Sequence, residues 1–386
     1  MHRTTFSSAS YWSKVTEDAD FLLPKIFHTS FFCDILGAMK NKSSASQPKE
    51  TSSVLYRKYR PSAWDEVVGQ EHVVSSLQGS LSNDRIAHAY LFAGSRGTGK
   101  TTLARIFARA LEVSENDIYE IDAASNRGID DIREIRDGVR VLPFESRYKV
   151  YIIDEVHMLT KEAFNALLKT LEEPPAHALF ILATTETDKI PETVVSRCQV
   201  FSFKKPTREI LKQVVQSIAK KEGMALEAGG ADLIALLGDG SFRDTLGVLQ
   251  KVIGSAKGEK ISLKDIETST GAPKGELVNG FLTALIAKEK DKALSLIAQA
   301  SSNGIAMKTF NALVLEKARA LLLFKNAPSL AKELAEQMSE EDYAWLSKAG
   351  DMTSPVLLEL LKAYDATGKA YIESLPLEMA VVNVCK

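Results

Sequence analysis

The chain is poor in cysteine, long apolar runs and net charge, and each shortage removes a class of protein. Only Cys33, Cys198 and Cys385 occur in 386 residues. They are too scattered for a disulfide framework or a Cys-x-x-Cys metal site, a usage that suits a reducing cytosol. No apolar run approaches the roughly 18 residues of a membrane span, so no membrane is expected among the partners. Phe21-Leu-Leu-Pro-Lys-Ile-Phe27 is broken by Pro24 and Lys25 and lacks a small-residue cleavage site, which argues against a secretory leader. With 48 Lys+Arg against 50 Asp+Glu the net charge is −2. There is no global basic field, so any nucleic-acid contact must come from a local patch. Two to three domains are expected from this length, and a cytoplasmic location from the cysteine usage.

Residues 1–38 show no clean hydrophobic period, and 40–53 (KNKSSASQPKETSS) are polar and Ser/Lys-rich. Residues 1–53 therefore read as a disordered N-terminal extension. Met39 stands just before the polar stretch, so a later start is one reading of the first 38 residues. From 89 to 205 apolar strands alternate with helical segments, the strands being expected at Ala89–Gly94, Asp117–Ala123, Tyr148–Val156, Ala178–Thr185 and Gln199–Phe203. Runs such as Val150-Tyr-Ile-Ile-Asp154 suit strands covered on both faces, and the alternation predicts a parallel α/β sheet. Thr160 is placed to N-cap a helix carrying Phe164, Leu167, Leu168 and Leu171 on one face, stopped by Pro174-Pro175. From about 207 strand signals vanish, and Gly223, Gly229-Gly230, Gly238 and Gly240 punctuate helical patterns. The expected division is an α/β domain over 54–206, a small helical domain over 207–272 and a second helical block over 273–386. The last block carries no chemistry of its own and suits packing against neighbours.

What is present in strength is a phosphate loop. Ala89-Tyr-Leu-Phe-Ala-Gly-Ser-Arg-Gly-Thr-Gly-Lys-Thr101 is a strand feeding into GxxxxGK[ST]. Gly94, Gly97 and Gly99 let backbone N–H groups wrap phosphates, with Ser95, Arg96, Thr98 and Thr102 completing the contact set. Lys100 is assigned to the β and γ phosphates, and Thr101 to Mg²⁺. The next helix bears Leu103, Ile106, Phe107, Ala110 and Leu111 on one face, so its N-terminus points at the phosphates. ATP and Mg²⁺ are the expected cofactors. Asp154 and Glu155 end the third strand at the sheet edge where ligands bind. Asp154 suits the acidic partner of Thr101 around Mg²⁺, and Glu155 the base that polarises an attacking water. Thr185, in Thr184-Thr185-Glu186 at the end of the fourth strand, is placed to sense the γ-phosphate, although β-propensity alone also puts Thr at strand ends. Arg197 and Arg243 each sit at a helix end, and spacing alone leaves both between a solvated surface charge and a phosphate contact.

Several motifs occur in order: Tyr56-Arg-Lys-Tyr-Arg-Pro61 with Val67-Val-Gly-Gln-Glu71, the phosphate loop, Ile121-Asp-Ala-Ala-Ser125, Asp154-Glu-Val-His-Met-Leu159, Phe164 to Pro175, Ala183-Thr-Thr185 and Ser196-Arg-Cys198. Together they resemble the gamma/tau subunits of bacterial DNA polymerase III, the ATPase of the clamp loader. The similarity is dense over about 54–250 and looser beyond, where Leu375-Pro-Leu-Glu-Met-Ala380 resembles the close of the family's collar. The resemblance implies an AAA+ P-loop module, a three-helix lid and an oligomerising all-α collar. It implies that Arg197 is a finger acting in trans on a neighbour's ATP, that Arg243 touches ATP in cis, and that Val68 and Gly69 lie beside adenine. It also implies DNA facing Arg127 and Lys169, where a solvated helix face is the competing reading, and partners in other clamp-loader subunits, a sliding clamp and primed DNA at the nucleoid.

The chain departs from that pattern in three ways. Leu111-Glu-Val-Ser-Glu-Asn-Asp117 bridges directly where the family carries a four-cysteine knuckle, so no zinc is expected. The chain stops where the collar should close, so a tau-type extension is not expected, and residues 1–53 match nothing in the family. A scaffold that binds ATP without turning it over is a rival reading, opposed by the intact Lys100, Asp154 and Glu155. A branch-migration motor is another, opposed by the Ser-Arg-Cys and Leu-Glu-Glu-Pro-Pro signatures.

Overall fold

The computed structural model describes residues 54–256, 258–327 and 340–386, so the extension expected over 1–53 lies outside the described residues. The chain enters through α1 (Leu55–Lys58) and α2 (Glu71–Ser82) and then alternates: β1 (Ala89–Ala93), α3 (Lys100–Ala110), β2 (Ile118–Asp122), α4 (Ile129–Val139), β3 (Lys149–Asp154), α5 (Lys161–Glu172), β4 (Ala178–Thr184), α6 (Glu192–Val195) and β5 (Gln199–Ser202). The five strands form one parallel sheet in the order β2-β3-β4-β1-β5. β1 therefore lies between β4 and β5, and the loop that follows it opens beside the ends of both.

Strand side chains alternate between two cores, as a period of two requires. Leu91, Tyr151, Ile153, Phe180 and Leu182 pack against Ile132, Val139, Phe164, Leu167 and Leu171 of α4 and α5. Tyr90, Phe92, Val150, Ile152, Leu179 and Ile181 face Val73, Leu77, Leu103, Ile106 and Phe107 of α2 and α3. Helices thus cover both faces, the expected α/β layering. β1, β4 and nearly all of β3 are buried, whereas β2, at the edge, is half exposed. Thr160 caps α5 as its position predicts, its hydroxyl accepting from the Ala163 amide at 3.2 Å.

Beyond the sheet lie α7 (Arg208–Lys221), β6 (Ala225–Leu226), α8 (Gly230–Leu237), α9 (Phe242–Ser255), β7 (Lys260–Ile261) and α10 (Leu263–Thr270). Two findings differ from the expectation here. β6 and β7 pair in parallel, two residues each, too short to leave an alternating pattern. Among the described residues this stretch holds four helices where the resemblance implies three, α10 being started by a reciprocal Ser262–Asp265 capping box. Leu55 and Tyr56 of α1 pack into this core and not onto the sheet, and the Leu55 amide donates to Gln250 Oε1 at 3.0 Å. Among the described residues the remaining helices are α11 (Gly275–Ile286), α12 (Lys290–Ser302), α13 (Met307–Asn326), α14 (Glu340–Lys348), α15 (Ser354–Thr367) and α16 (Leu375–Val384), around Phe281, Phe310, Val314 and Leu321. Asp239, a left-handed residue at φ +43°, binds Lys205 after β5 at 3.0 Å and Lys308 of α13 at 3.1 Å.

Candidate nucleotide site

The loop after β1 is shaped by positions only glycine fits. Gly94 has φ +156°, and a Cβ there would stand 2.7 Å from the Phe203 carbonyl oxygen. Strand pairing enforces that approach: the Gly94 amide donates to Thr184 O at 3.1 Å and the Phe203 amide to Ala93 O at 2.7 Å. Gly99, at φ +102°, turns the chain into α3. From Ser95 into the first turn of α3, the backbone amides of residues 95–101 donate to no acceptor among the described residues. A run of unspent donors at a helix N-terminus is what a phosphate requires. Thr98, 1% exposed, braces the loop by donating from Oγ1 to Ser95 O at 2.9 Å, while Ser95 and Arg96 are exposed.

Lys100 is 5% exposed, and its ammonium donates to the Gly94 and Ser95 carbonyls at 2.7 and 3.0 Å. Burial lowers its pKa, with Glu155 and Asp154 pulling the other way. Thr101 Oγ1 donates to Asp154 Oδ2 at 2.8 Å, while Asp154 Oδ1 accepts the Glu155 amide at 3.0 Å. A hydroxyl and a carboxylate held side by side at the mouth of the loop form the hard-oxygen donor set that Mg²⁺ takes. Thr102 accepts on Oγ1 from Arg60 Nε at 3.0 Å.

Glu155 sits in the left-handed region at φ +49°, ψ +43°, a strained conformation of the kind found at working sites. Its Oε2 accepts from the Thr185 amide at 3.3 Å and from Thr185 Oγ1 at 3.0 Å, so these two residues from adjacent strands meet. His157 Nδ1 stands 3.4 Å from the same oxygen.

The far wall comes from the helical core. The Phe242 amide, at the start of α9, donates to Gly97 O at 3.0 Å. A Cβ on Gly97 would lie 2.0 Å from Ser241 Oγ and 3.5 Å from Arg243 Cβ, so Arg243 rises beside the loop, with its guanidinium 5.9 Å from the centre of the Tyr56 ring. Val68 is exposed, and Gly69 at φ +75° would bring a Cβ to 3.1 Å from Ile210 of α7.

Two residues of the 59–70 segment, which the resemblance places around adenine, make contacts that the sequence did not assign. Gln70, 1% exposed, is reciprocally bonded to Lys204, donating to its carbonyl at 2.7 Å and accepting its amide at 3.1 Å, and so ties the α2 end to the exit of β5. Arg60 braces Thr102, and burial lowers its pKa, with the charges of Arg105 and Arg243 adding. Both residues stood inside quoted motifs, but nothing local revealed which backbone each would reach.

Other predicted residues lie elsewhere. Arg197 donates to Glu172 at 2.7 Å and to Thr193 O at 2.7 Å, and none of its hydrogen bonds is to the loop. Arg127 is exposed and bonds to Ala124 O at 2.7 Å; Lys169 is exposed on α5. Among the described residues no cluster of three or more His, Cys, Asp or Glu is arranged to hold a metal, and no helix is long and apolar enough to cross a membrane.

The sequence profile of the family described as DNA polymerase III, delta subunit, matches residues 69–127 and 111–207. The tau subunit of DNA polymerase III from Bacillus subtilis (strain 168) is 39% identical over 360 residues, covering 86% of this chain and 63% of that protein. The Escherichia coli (strain K12) tau subunit is 39% identical over 273 residues, 65% of this chain and 42% of the relative. The gamma/tau subunit of Mycoplasma pneumoniae is 40% identical over 272 residues, 65% and 40% respectively. The chain thus spans less than two thirds of the length of these relatives. Among solved structures, the Thermotoga maritima RuvB Holliday junction branch migration motor is 23% identical with a TM-score of 0.48, covering 64% of this chain and 86% of that one.

Proposed function

The chain belongs to the family of DNA polymerase III tau and gamma/tau subunits, and on that premise we propose that it is an ATP-hydrolysing motor subunit of a cytoplasmic clamp loader that places a sliding clamp on primed DNA. The observation that carries the reading is the convergence of Lys100, the Thr101–Asp154 pair and the Glu155–Thr185 pair at one edge of the sheet. Bound ATP and Mg²⁺ supply the phosphoryl group and the neutralising charge. The amides of 95–101 and Lys100 hold the phosphates, and Thr101 and Asp154 hold the cation. Glu155 orients water and takes its proton, while Thr185 fixes the Glu155 carboxylate. Arg243, rising from α9 beside Gly97, contacts nucleotide in cis, and Val68 and Gly69 flank the base.

We assign residues 54–206 to the ATPase module, 207–272 to a lid and 273–386 to a collar through which companion subunits assemble. Arg197 serves the neighbour's site. In the single chain it is anchored by Glu172, an exposed pair that costs about 0–1 kcal/mol to open. Arg127 and Lys169 face DNA. The rival reading, a scaffold that binds ATP without turnover, gives no reason for a strained, hydrogen-bonded carboxylate at 155. ATPase rates with and without clamp and primed DNA test the choice. A motor is stimulated by both together; a rate that stays near zero in every condition supports the scaffold.

A further inference from the structure

We propose that His157 is a positioning residue for Glu155, an inference that rests on reading Glu155 as the group that polarises water. His157 lies in the 3₁₀ turn Val156–Met158 that follows β3, with its side chain only 6% exposed. A histidine at that depth that merely filled space would meet apolar neighbours, but each nitrogen of this ring meets polar oxygens. Nδ1 is 3.2 Å from Thr184 Oγ1 and 3.4 Å from Glu155 Oε2, and Nε2 is 3.3 Å from Glu186 Oε1. The ring therefore bridges the end of β3 to the Thr184–Glu186 turn at the end of β4. That turn also holds the phosphate loop, since Thr184 O accepts the Gly94 amide.

The consequence for Glu155 is an asymmetric carboxylate. Oε2 accepts from the Thr185 amide and hydroxyl and lies 3.4 Å from His157 Nδ1, whereas Oε1 accepts from no donor among the described residues. One oxygen is anchored and the other is left for chemistry. Thr185 bonds the anchored oxygen from the β4 side while the His157 ring, tied to Thr184 and Glu186, backs it from the β3 side, so removing the ring leaves a carboxylate confined from one side only. Glu186 steadies the ring from behind and is itself paired with Lys189 at 2.8 Å.

The test uses the full chain assembled with its companion subunits, clamp and primed DNA, in single-turnover ATP hydrolysis, with a fluorescent ATP analogue to measure affinity. His157→Ala should lower the hydrolysis rate about ten- to hundred-fold, the scale set by misplacing a catalytic group by an ångström, with analogue affinity unchanged. His157→Asn puts an amide nitrogen where Nδ1 stands and should restore most of the rate. His157→Gln reaches the Nε2 position toward Glu186 instead and should not. In a Glu155→Gln background His157→Ala should cause no further loss, because a residue acting through Glu155 has nothing left to position. Wild-type rates in His157→Ala, equal rescue by Asn and Gln, or a full additional loss in the Glu155→Gln background would each overturn the inference. A wild-type complex that binds the analogue but never hydrolyses ATP would sink the reading of Glu155 and this inference with it, a result distinct from an active wild type indifferent to residue 157.

Discussion

Gly97→Ala tests whether the nucleotide site is shared between the sheet and the helical core. Gly97 has φ +72°, where a side chain costs about 1–2 kcal/mol. The added methyl would also stand 2.0 Å from Ser241 Oγ and 3.0 Å from Ser241 Cβ, so one of the two must move. If Ser241 turns away, α9 loses its N-cap, since that hydroxyl accepts the Asp244 amide at 3.2 Å, at a cost of about 1 kcal/mol. If the loop retreats instead, the Phe242–Gly97 backbone bond is lost, for about the same amount. Either route totals about 2–3 kcal/mol, and thermal melting should fall by several degrees. Ser241→Ala removes the cap and part of the clash together, so the double variant should be less destabilised than the sum of the two singles. Thermal melts of the four proteins, with titration of a fluorescent ATP analogue alongside, give the answer. Strict additivity, or a Gly97→Ala protein that melts and binds like wild type, would show that α9 does not rest on the loop in solution.

Lys100→Ala should abolish ATP-analogue binding without shifting the circular-dichroism melt, because the ammonium is spent on loop carbonyls and supports no core. Glu155→Gln should bind the analogue and stall before hydrolysis; turnover at the wild-type rate would remove Glu155 as the base. Arg197→Ala should keep analogue affinity while losing about 10³ or more in complex-dependent rate, and mixing it with Lys100→Ala protein should recover activity if the finger works in trans. Asp117 is wholly buried, which alone would raise its pKa, but the amides of Phe144, Glu145 and Ser146 and the Ser146 hydroxyl lower it on balance. Its stabilising contribution is therefore present above the unfolded value near 4 and is lost as pH falls through the lower folded value. Asp117→Asn should melt earlier at pH 7 and converge with wild type in acid, as read by melts across pH 2–7.

The sheet was legible because β1, β3 and β4 are buried on both faces and must be written as continuous apolar runs, and the Thr160 cap because its partner lies three residues away. The phosphate loop was legible for the same local reason, its glycines being dictated by backbone conformation. Contacts between distant segments were not. Nothing in Gly240-Ser-Phe-Arg243 says that Ser241 will press on Gly97, and nothing in Gln70 says that it will bridge to Lys204, 134 residues away. β6 and β7 are too short to carry a period. His157 had a signal of a weaker kind, a polar ring two residues past an acidic strand end, but its meaning depends on Thr184 and Glu186 arriving from another strand.

The Asp239 clasp has a mechanical meaning. Its two lysines are more than half exposed, as is the carboxylate, so each contact is worth about 0–1 kcal/mol. Four residues on, Arg243 lies beside the phosphate loop, and Gly240 at φ +73° leaves room for the Lys205 side chain, which a Cβ would meet at 1.9 Å. Stiffness is therefore uneven along this short path: a backbone bond at the loop end, an ionic catch at the α13 end. Added salt screens the two Asp239 contacts and leaves the Phe242–Gly97 backbone bond in place. Asp239 thus ties the exit of β5 and α13 through one exposed carboxylate, while the Arg208–Glu316 pair and Leu313, packed into the same helical core, link α13 to that core independently.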